Sequence, residues 1–257
     1  MTEGRLANEI VVVTGAATGI GYAIAEKATR EGAAVALLDI QGDAVRRAAD
    51  ALAEKGATVF GYDLDVTDEA SVADAVTATT AALGSPSILV NNAGRNAYSD
   101  ARTMSTAEWE AVFAVDLRGA WLMARAVLPS MVDHGRGSIV NIASLHAKLT
   151  CEGMFPYAAA KSGLVGLTRS LALDMAGHGV RVNSVSPGYI RTALVSEYFD
   201  KHPDPAIEAA VLAAQPFHRL GDPSEVANVV CFLASNEAGY VTGADWAVDG
   251  GLGVRFA

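Results

Sequence analysis

Short apolar runs alternate along the chain with longer Ala-rich segments whose apolar positions recur at helical spacing. Ile10-Val11-Val12-Val13 is β-branched and unbroken, the pattern of a strand buried on both faces. Similar runs predict strands over 34–39, 58–62, 87–91, 138–142, 181–186 and 245–248. The intervals predict helices over 22–31, 42–55, 68–82, 106–134, 155–177 and 222–234. Strands alternating with longer helices imply an α/β fold: one doubly wound parallel sheet of about seven strands, right-handed crossovers, and helices on both faces. No linker, repeat or low-complexity tract divides 1–257, so it reads as one domain. The stretch 190–220 is less regular, carrying Pro203, Pro205 and Pro216, with short amphipathic helices expected around Tyr198-Phe199 and Ile207 to Leu212. An insertion between the sixth strand and the last helix is expected to serve as a substrate lid.

Composition narrows the classes. A chain of 257 residues can bury roughly 70–75% of its unfolded surface without staples. Apolar residues make up 51%, yet no stretch approaches the roughly 20 uninterrupted apolar residues of a membrane span. The opening Met-Thr-Glu-Gly-Arg-Leu-Ala-Asn-Glu lacks the layout of a secretory signal, so a cytoplasmic location is the default expectation. A formal charge of −10 and the lack of a basic run argue against nucleic acid as a partner. Cys151 and Cys231 have no CxxC spacing and no His cluster around them, so neither a disulfide nor a metal site is indicated. Cys151 is read as a pocket or loop residue.

Two stretches carry candidate chemistry. Thr14-Gly15-Ala16-Ala17-Thr18-Gly19-Ile20-Gly21 joins the first strand to the first helix, where glycines allow a tight turn, close approach to a pyrophosphate and anion binding at a helix N-terminus. Asp39 ends the second apolar run, 18 residues past Gly21. A carboxylate there can accept from the adenosine ribose hydroxyls and repels a 2′-phosphate, so NAD is expected in preference to NADP. The second stretch runs from Ser144 to Lys161. Tyr157 and Lys161 are four residues apart, on one helix face. A cation beside a phenol favours the phenolate, and Ser144 follows a strand at its carboxyl end, so this set could hold an alcohol or carbonyl oxygen while a proton moves.

These residues stand together with Asp65-Val66, Asn91-Asn92-Ala93-Gly94, Asn183, Pro187-Gly188 with Thr192, and Val248-Asp249-Gly250-Gly251. In that order and spacing, from residue 8 to 251, the chain resembles the short-chain dehydrogenase/reductase family of the classical type. The resemblance implies a Rossmann-type fold and an alcohol dehydrogenase or reductase with Tyr157 as acid/base. It makes Ser144 the holder of the substrate oxygen, and Lys161 the residue that lowers the tyrosine pKa and binds the nicotinamide ribose. It assigns Gly15, Thr18, Gly19, Ile20 and Gly21 to the phosphates, Asp65 and Val66 to the adenine, and Asn91, Ala93 and Gly94 to the cofactor floor. Pro187, Gly188, Ile190 and Thr192 go to the nicotinamide. It also implies a homo-oligomer, a tetramer by family likeness, with the helices over 106–134 and 155–177 supplying apolar faces. The tail 252–257 could then close a neighbouring subunit's site.

One position departs from the family pattern. The fourth catalytic member, an asparagine, aligns with Asp116 in Val115-Asp116-Leu117-Arg118-Gly119. If the main-chain carbonyl there does the work, Asp serves; if a side-chain N–H is needed, a carboxylate cannot supply it. Activity is expected to survive, with Asp116→Asn leaving turnover within about tenfold, or about 1.4 kcal/mol.

By the same likeness the substrate pocket includes Arg95, Asn96, Leu145, His146, Glu152, Met154, Tyr189 and the segment 193–212. Its polar members suit a hydroxylated small molecule. A secondary alcohol such as a sugar, polyol or hydroxy acid is expected, oxidised with NAD, with His146 as a hydrogen-bonding wall residue. The enzymatic alternative is an NADPH-linked 3-oxoacyl or ketone reductase. A noncatalytic NAD-binding protein is the remote one, since Tyr157 and Lys161 are both retained.

Overall fold

The structure, a computed structural model, describes residues 4–193, 195, 196, 199 and 204–255. Strands β1 (Ile10–Thr14), β2 (Ala34–Asp39), β3 (Val59–Asp63), β4 (Ile88–Asn91), β5 (Gly137–Ile142), β6 (Val180–Pro187) and β7 (Asp245–Val248) form one sheet in the order β3-β2-β1-β4-β5-β6-β7. Every pairing is parallel. The strand order reverses between β1 and β4, and in open α/β sheets ligands bind outside the carboxyl ends at that switch.

The unbroken apolar strands explain why helices cover both faces. Successive side chains point to opposite sides, so Val11 and Val13 join Val35, Leu37 and Val90 in one core while Val12 joins Ala36, Leu38 and Leu89 in the other. Helices α1 (Gly19–Arg30), α2 (Gly42–Ala53) and α8 (Pro223–Ala234) close the first face. The second is closed by α3 (Glu69–Leu83), α5 (Gly119–Asp133) and α6 (Tyr157–Ala176). Most predicted boundaries shift by a residue or two; α1 starts earlier, at Gly19, taking the last two motif glycines into its first turn. Among the described residues no helix is long and apolar enough to cross a membrane.

The predicted helix 106–134 is divided. It begins as α4 (Thr106–Phe113), capped reciprocally by Ser105 and Glu108, then opens into a π-helical turn over Ala114–Arg118 before α5. Gly119 N–H reaches back five residues to the Ala114 carbonyl. A π-helical turn adds a residue without ending the helix, so in sequence the segment reads as a single helix. The turn has a chemical consequence: it carries Asp116, 1% exposed, into the interior.

The excursion after β6 is pinned at its base. Arg191 N–H donates to the Gly221 carbonyl at 2.8 Å, and Gly221 N–H donates to that of Tyr189 at 2.9 Å. Within it, α7 (Pro205–Ala214) starts on an Asp204 cap, matching the amphipathic helix expected around Ile207 to Leu212. Tyr198, in the other expected short helix, lies outside the described residues, as do Leu194, Glu197 and 200–203. In the tail, Arg255 Nη1 donates to the carbonyls of Ala213 at 3.2 Å and Ala214 at 2.7 Å, satisfying the end of α7. Phe256 and Ala257, part of the tail expected to reach a neighbour, lie outside the described residues.

Candidate active site

A cleft of about 690 Å³ runs along the carboxyl ends of the strands at the switch point. One end is built from backbone. Gly15 and Gly19 hold φ of 62° and 59°, in the left-handed region that favours glycine. Asn92 Nδ2 donates to the carbonyls of Thr14 and Gly15, both at 2.9 Å, tying the turn to the end of β4. Thr18 precedes α1 in an extended conformation and no side chain caps the helix, leaving its first-turn N–H groups free of side-chain partners. Asp39, 8% exposed, accepts from Ala17 N–H at 3.0 Å and Gln41 N–H at 2.9 Å. The neighbouring rim is Ile40, Leu64, Asp65 and Val66, with Asp65 Oδ1 fixed by the Thr67 N–H and hydroxyl at 2.8 and 2.7 Å.

The other end is built from buried side chains. Lys161, 4% exposed, extends from the second turn of α6, and its Nζ donates to the Ile142 carbonyl at 3.1 Å and to Asp116 Oδ1 at 3.1 Å. Both Asp116 oxygens accept from Arg95 N–H at 3.3 Å. Burial pushes the Asp116 carboxyl up, with the Lys161 charge opposing. Burial by itself lowers Lys161, and the Asp116 carboxylate and Tyr157 raise it further than that, so its net shift is upward. Tyr157 opens α6, with Lys161 Nζ lying 5.6 Å from its ring centre. Ser144 ends the β5 connection, and its Oγ accepts from His146 N–H at 3.2 Å, leaving the hydroxyl proton available to a ligand oxygen. The His146 ring stands edge-on to Tyr157 at 5.9 Å, and burial lowers its pKa, keeping it neutral near pH 7.

Ser144, Tyr157, Lys161 and Asp116 thus meet in one cleft with Gly15, Thr18, Gly19, Ile20, Asp39, Asp65, Val66, Ala93, Gly94, Pro187, Gly188, Ile190 and Thr192. Asn96, His146, Glu152, Met154, Tyr189 and Arg95 line it as well. Gly21, Asn91 and Leu145 do not, and of the described residues in 193–212 Ala193 and Val195 do. Gly21 is pressed behind the turn, where a Cβ would stand 2.2 Å from the Gly15 carbonyl oxygen. The Asn91 side chain is 4% exposed, and its amide donates to Asn141 Oδ1 at 2.8 Å and to the Ala120 carbonyl at 3.2 Å, bracing β4 against β5 and α5. Leu145 turns toward the tail, where its Cδ1 would meet a Cβ on Gly253 at 2.8 Å. Asn92, which the sequence reading passed over, lines the cleft in place of Asn91. Only its adjacency to Asn91 pointed to it, since strand alternation turns neighbours in opposite directions.

A second hollow of about 700 Å³ lies on the outer side of α4, the π-helical turn, α5 and α6, lined by Trp109, Phe113, Leu117, Trp121 and Leu167 among others. It brings together none of these proton-transfer groups.

The fold and this constellation define a dehydrogenase or reductase of the Rossmann type. The family model for enoyl-(acyl carrier protein) reductases matches residues 15–253. The chain is 40% identical over 249 residues to 2-(S)-hydroxypropyl-CoM dehydrogenase 3 of Xanthobacter autotrophicus, covering 96% of this chain and 98% of that one. It is 38% identical to a 3-oxoacyl-(acyl-carrier-protein) reductase of Thermotoga maritima, covering 96% and 99%. A proposed NAD(P)-dependent gluconate 5-dehydrogenase from Beutenbergia cavernae, solved with NADP at low occupancy, superposes with a TM-score of 0.91 at 38% identity, covering 97% and 98%. The chain belongs to the short-chain dehydrogenase/reductase family and is an oxidoreductase of CH–OH groups.

Proposed function

We propose that the protein oxidises a secondary alcohol with NAD, the substrate being a sugar, polyol or hydroxy acid. The observation that carries the NAD preference is Asp39: a fixed carboxylate at the end of β2, with Ile40, Gln41 and Leu64 around it supplying no cation. Each of its oxygens accepts one backbone N–H and keeps a lone pair for a ribose hydroxyl, whereas a 2′-phosphate would meet like charge.

The residues present fit a nicotinamide dinucleotide. Gly15 and Gly19 leave the turn without side chains, and where Gly19 would carry a Cβ the nearest atom is the Thr192 methyl at 3.6 Å. Thr18, Gly19 and Ile20 at the N-terminus of α1 would hold the pyrophosphate, Asp39 the ribose, and Asp65 with Val66 the adenine. Asn92, Ala93 and Gly94 would form the floor, and Pro187, Gly188, Ile190 and Thr192 would take the carboxamide end. The bound nicotinamide supplies the hydride acceptor. In this reading the Ser144 hydroxyl donates to the substrate oxygen, the Tyr157 phenolate takes its proton, and Lys161 stabilises the phenolate and reaches the nicotinamide ribose. Arg95, Asn96, His146, Glu152 and Tyr189 give the substrate end its polarity. A homo-oligomer, tetrameric by family likeness, belongs to the same proposal, as does a cytoplasmic location. The aromatic hollow on α4, α5 and α6, where Trp121 is 41% exposed, supports assembly through those helices.

The test is a panel of sugars, polyols, hydroxy acids and simple alcohols, followed by reduced-nicotinamide absorbance with NAD and NADP in parallel. Turnover of a hydroxylated compound is expected with NAD and is expected to be abolished in Tyr157→Phe. The Thermotoga relative favours a second reading, 3-oxoacyl reduction with NADPH. Silence across the panel, with turnover of an acyl thioester by NADPH, would establish that one instead.

A further inference from the structure

Where the family pattern has a neutral amide, this chain places a carboxylate in contact with the cation that serves the catalytic phenol. Asp116 and Lys161 come from different elements, the π-helical turn and α6, and are both buried. They meet at 3.1 Å, and the Arg95 N–H and the Ile142 carbonyl complete their hydrogen bonding. Gly94 makes the contact possible, since a Cβ there would stand 2.9 Å from Asp116 Oδ1 and 3.2 Å from Lys161 Nζ.

An isolated ammonium beside a phenol favours the phenolate, and a carboxylate beside it does the opposite. At low effective dielectric both fields reach the phenol, so their sum is that of a dipole and not of a full charge. We propose that Asp116 is a positioning residue that holds Lys161 charged and in place while cancelling much of its field at Tyr157, so that this enzyme requires a more alkaline medium than it would with an amide at the same position. The inference rests on Tyr157 being the acid/base. The other titratable groups of the same cleft are His146, neutral and edge-on to the ring, Arg95 and Glu152 on the walls, Cys151, Tyr98 and Tyr189, and Asp39 and Asp65 toward the glycine turn. Of these Arg95 meets Asp116, through its backbone N–H and its charge, and its guanidinium is the same in every variant compared, so the comparison reads the carboxylate.

The experiment compares wild type, Asp116→Asn and Asp116→Glu by two readouts. The first is the pH dependence of kcat/KM for alcohol oxidation. The second, which needs no turnover, is the tyrosinate absorbance of the cofactor-free protein across pH, taken as the difference from the matching Tyr157→Phe protein. Asp116→Asn is expected to move both midpoints down by about one pH unit, with Asp116→Glu restoring the wild-type midpoint. Midpoints that coincide in all three proteins would overturn the proposal and leave Asp116 a neutral substitute for the amide. Asp116→Ser, small and uncharged, replaces the Asn variant should that protein fail to fold. If Tyr157→Phe keeps its activity the acid/base reading fails, while the absorbance titration still reports whether the pair governs this phenol.

Discussion

The two ends of the cleft are built from opposite materials. At the end built on the glycine turn the work falls to backbone: Gly15 and Gly19 in the left-handed region, Gly21 pressed against the Gly15 carbonyl, and Asn92 tying the turn to β4. At the end that gathers Ser144, Tyr157 and Lys161 it falls to charged side chains held out of water, with Asp116 and Lys161 at 1% and 4% exposure. The first site is defined by atoms that are missing, so it fails when atoms are added. The second is defined by opposite charges that satisfy one another, so it fails when either is taken away.

The largest effect should come from breaking the buried pair. Lys161→Met leaves the Asp116 carboxylate without its cation, and removing one partner of a buried ion pair costs about 3–5 kcal/mol. Chemical denaturation should record that loss along with the loss of turnover. Replacing both, Asp116→Leu with Lys161→Met, should recover most of the stability and none of the activity. If the double variant were no more stable than the single one, the catalytic end would be held by something other than charge compensation.

At the glycine-turn end the converse applies. Gly21→Ala puts a methyl 2.2 Å from the Gly15 carbonyl oxygen, backbone that cannot rotate aside. Overpacking of this kind costs about 1–3 kcal/mol. Because the displaced atoms belong to the glycine turn, the cofactor Kd should weaken as well, with the pH midpoint of the catalytic end unchanged. A variant that lost stability but bound NAD normally would separate the packing of α1 from the cleft.

What the sequence makes legible follows the same division. Period-3.6 and unbroken apolar runs give the seven strands and the helices that cover them, because burial on both faces leaves few other ways to write a parallel strand. Gly15, Gly19 and Asp39 are legible because the turn and the strand end restrict which residues serve there. The π-helical turn at 114–118 is not, since it adds a residue without ending the helix and leaves no turn or capping signal in the chain. The family likeness puts Asp116 in one set with Lys161, 45 residues away, but their direct contact depends on that turn. The choice between Asn91 and Asn92 depended likewise on which way the end of β4 turns its side chains, a matter of pleat and not of composition.

The smallest effect sharpens the contrast between charges in and out of water. Glu31, at the end of α1, also sits among cations, with Arg5 Nη2 at 2.8 Å and Lys27 Nζ at 2.7 Å, and these hold its carboxyl down at about 2. Asp116, with its own cation at 3.1 Å, is shifted the other way because burial there exceeds what the partner returns. A depressed carboxyl contributes stability that is complete above its unfolded pKa, near 4.5, and is lost as pH falls toward 2. Glu31→Gln should therefore lower stability by about 1 kcal/mol at pH 7, solvent screening of this partly exposed pair reducing what the shift alone would give, and denaturation curves of the two proteins should converge as the medium is acidified through that window. A difference that persisted below it would mean that Glu31 acts through packing of the N-terminal segment on α1 and not through its charge.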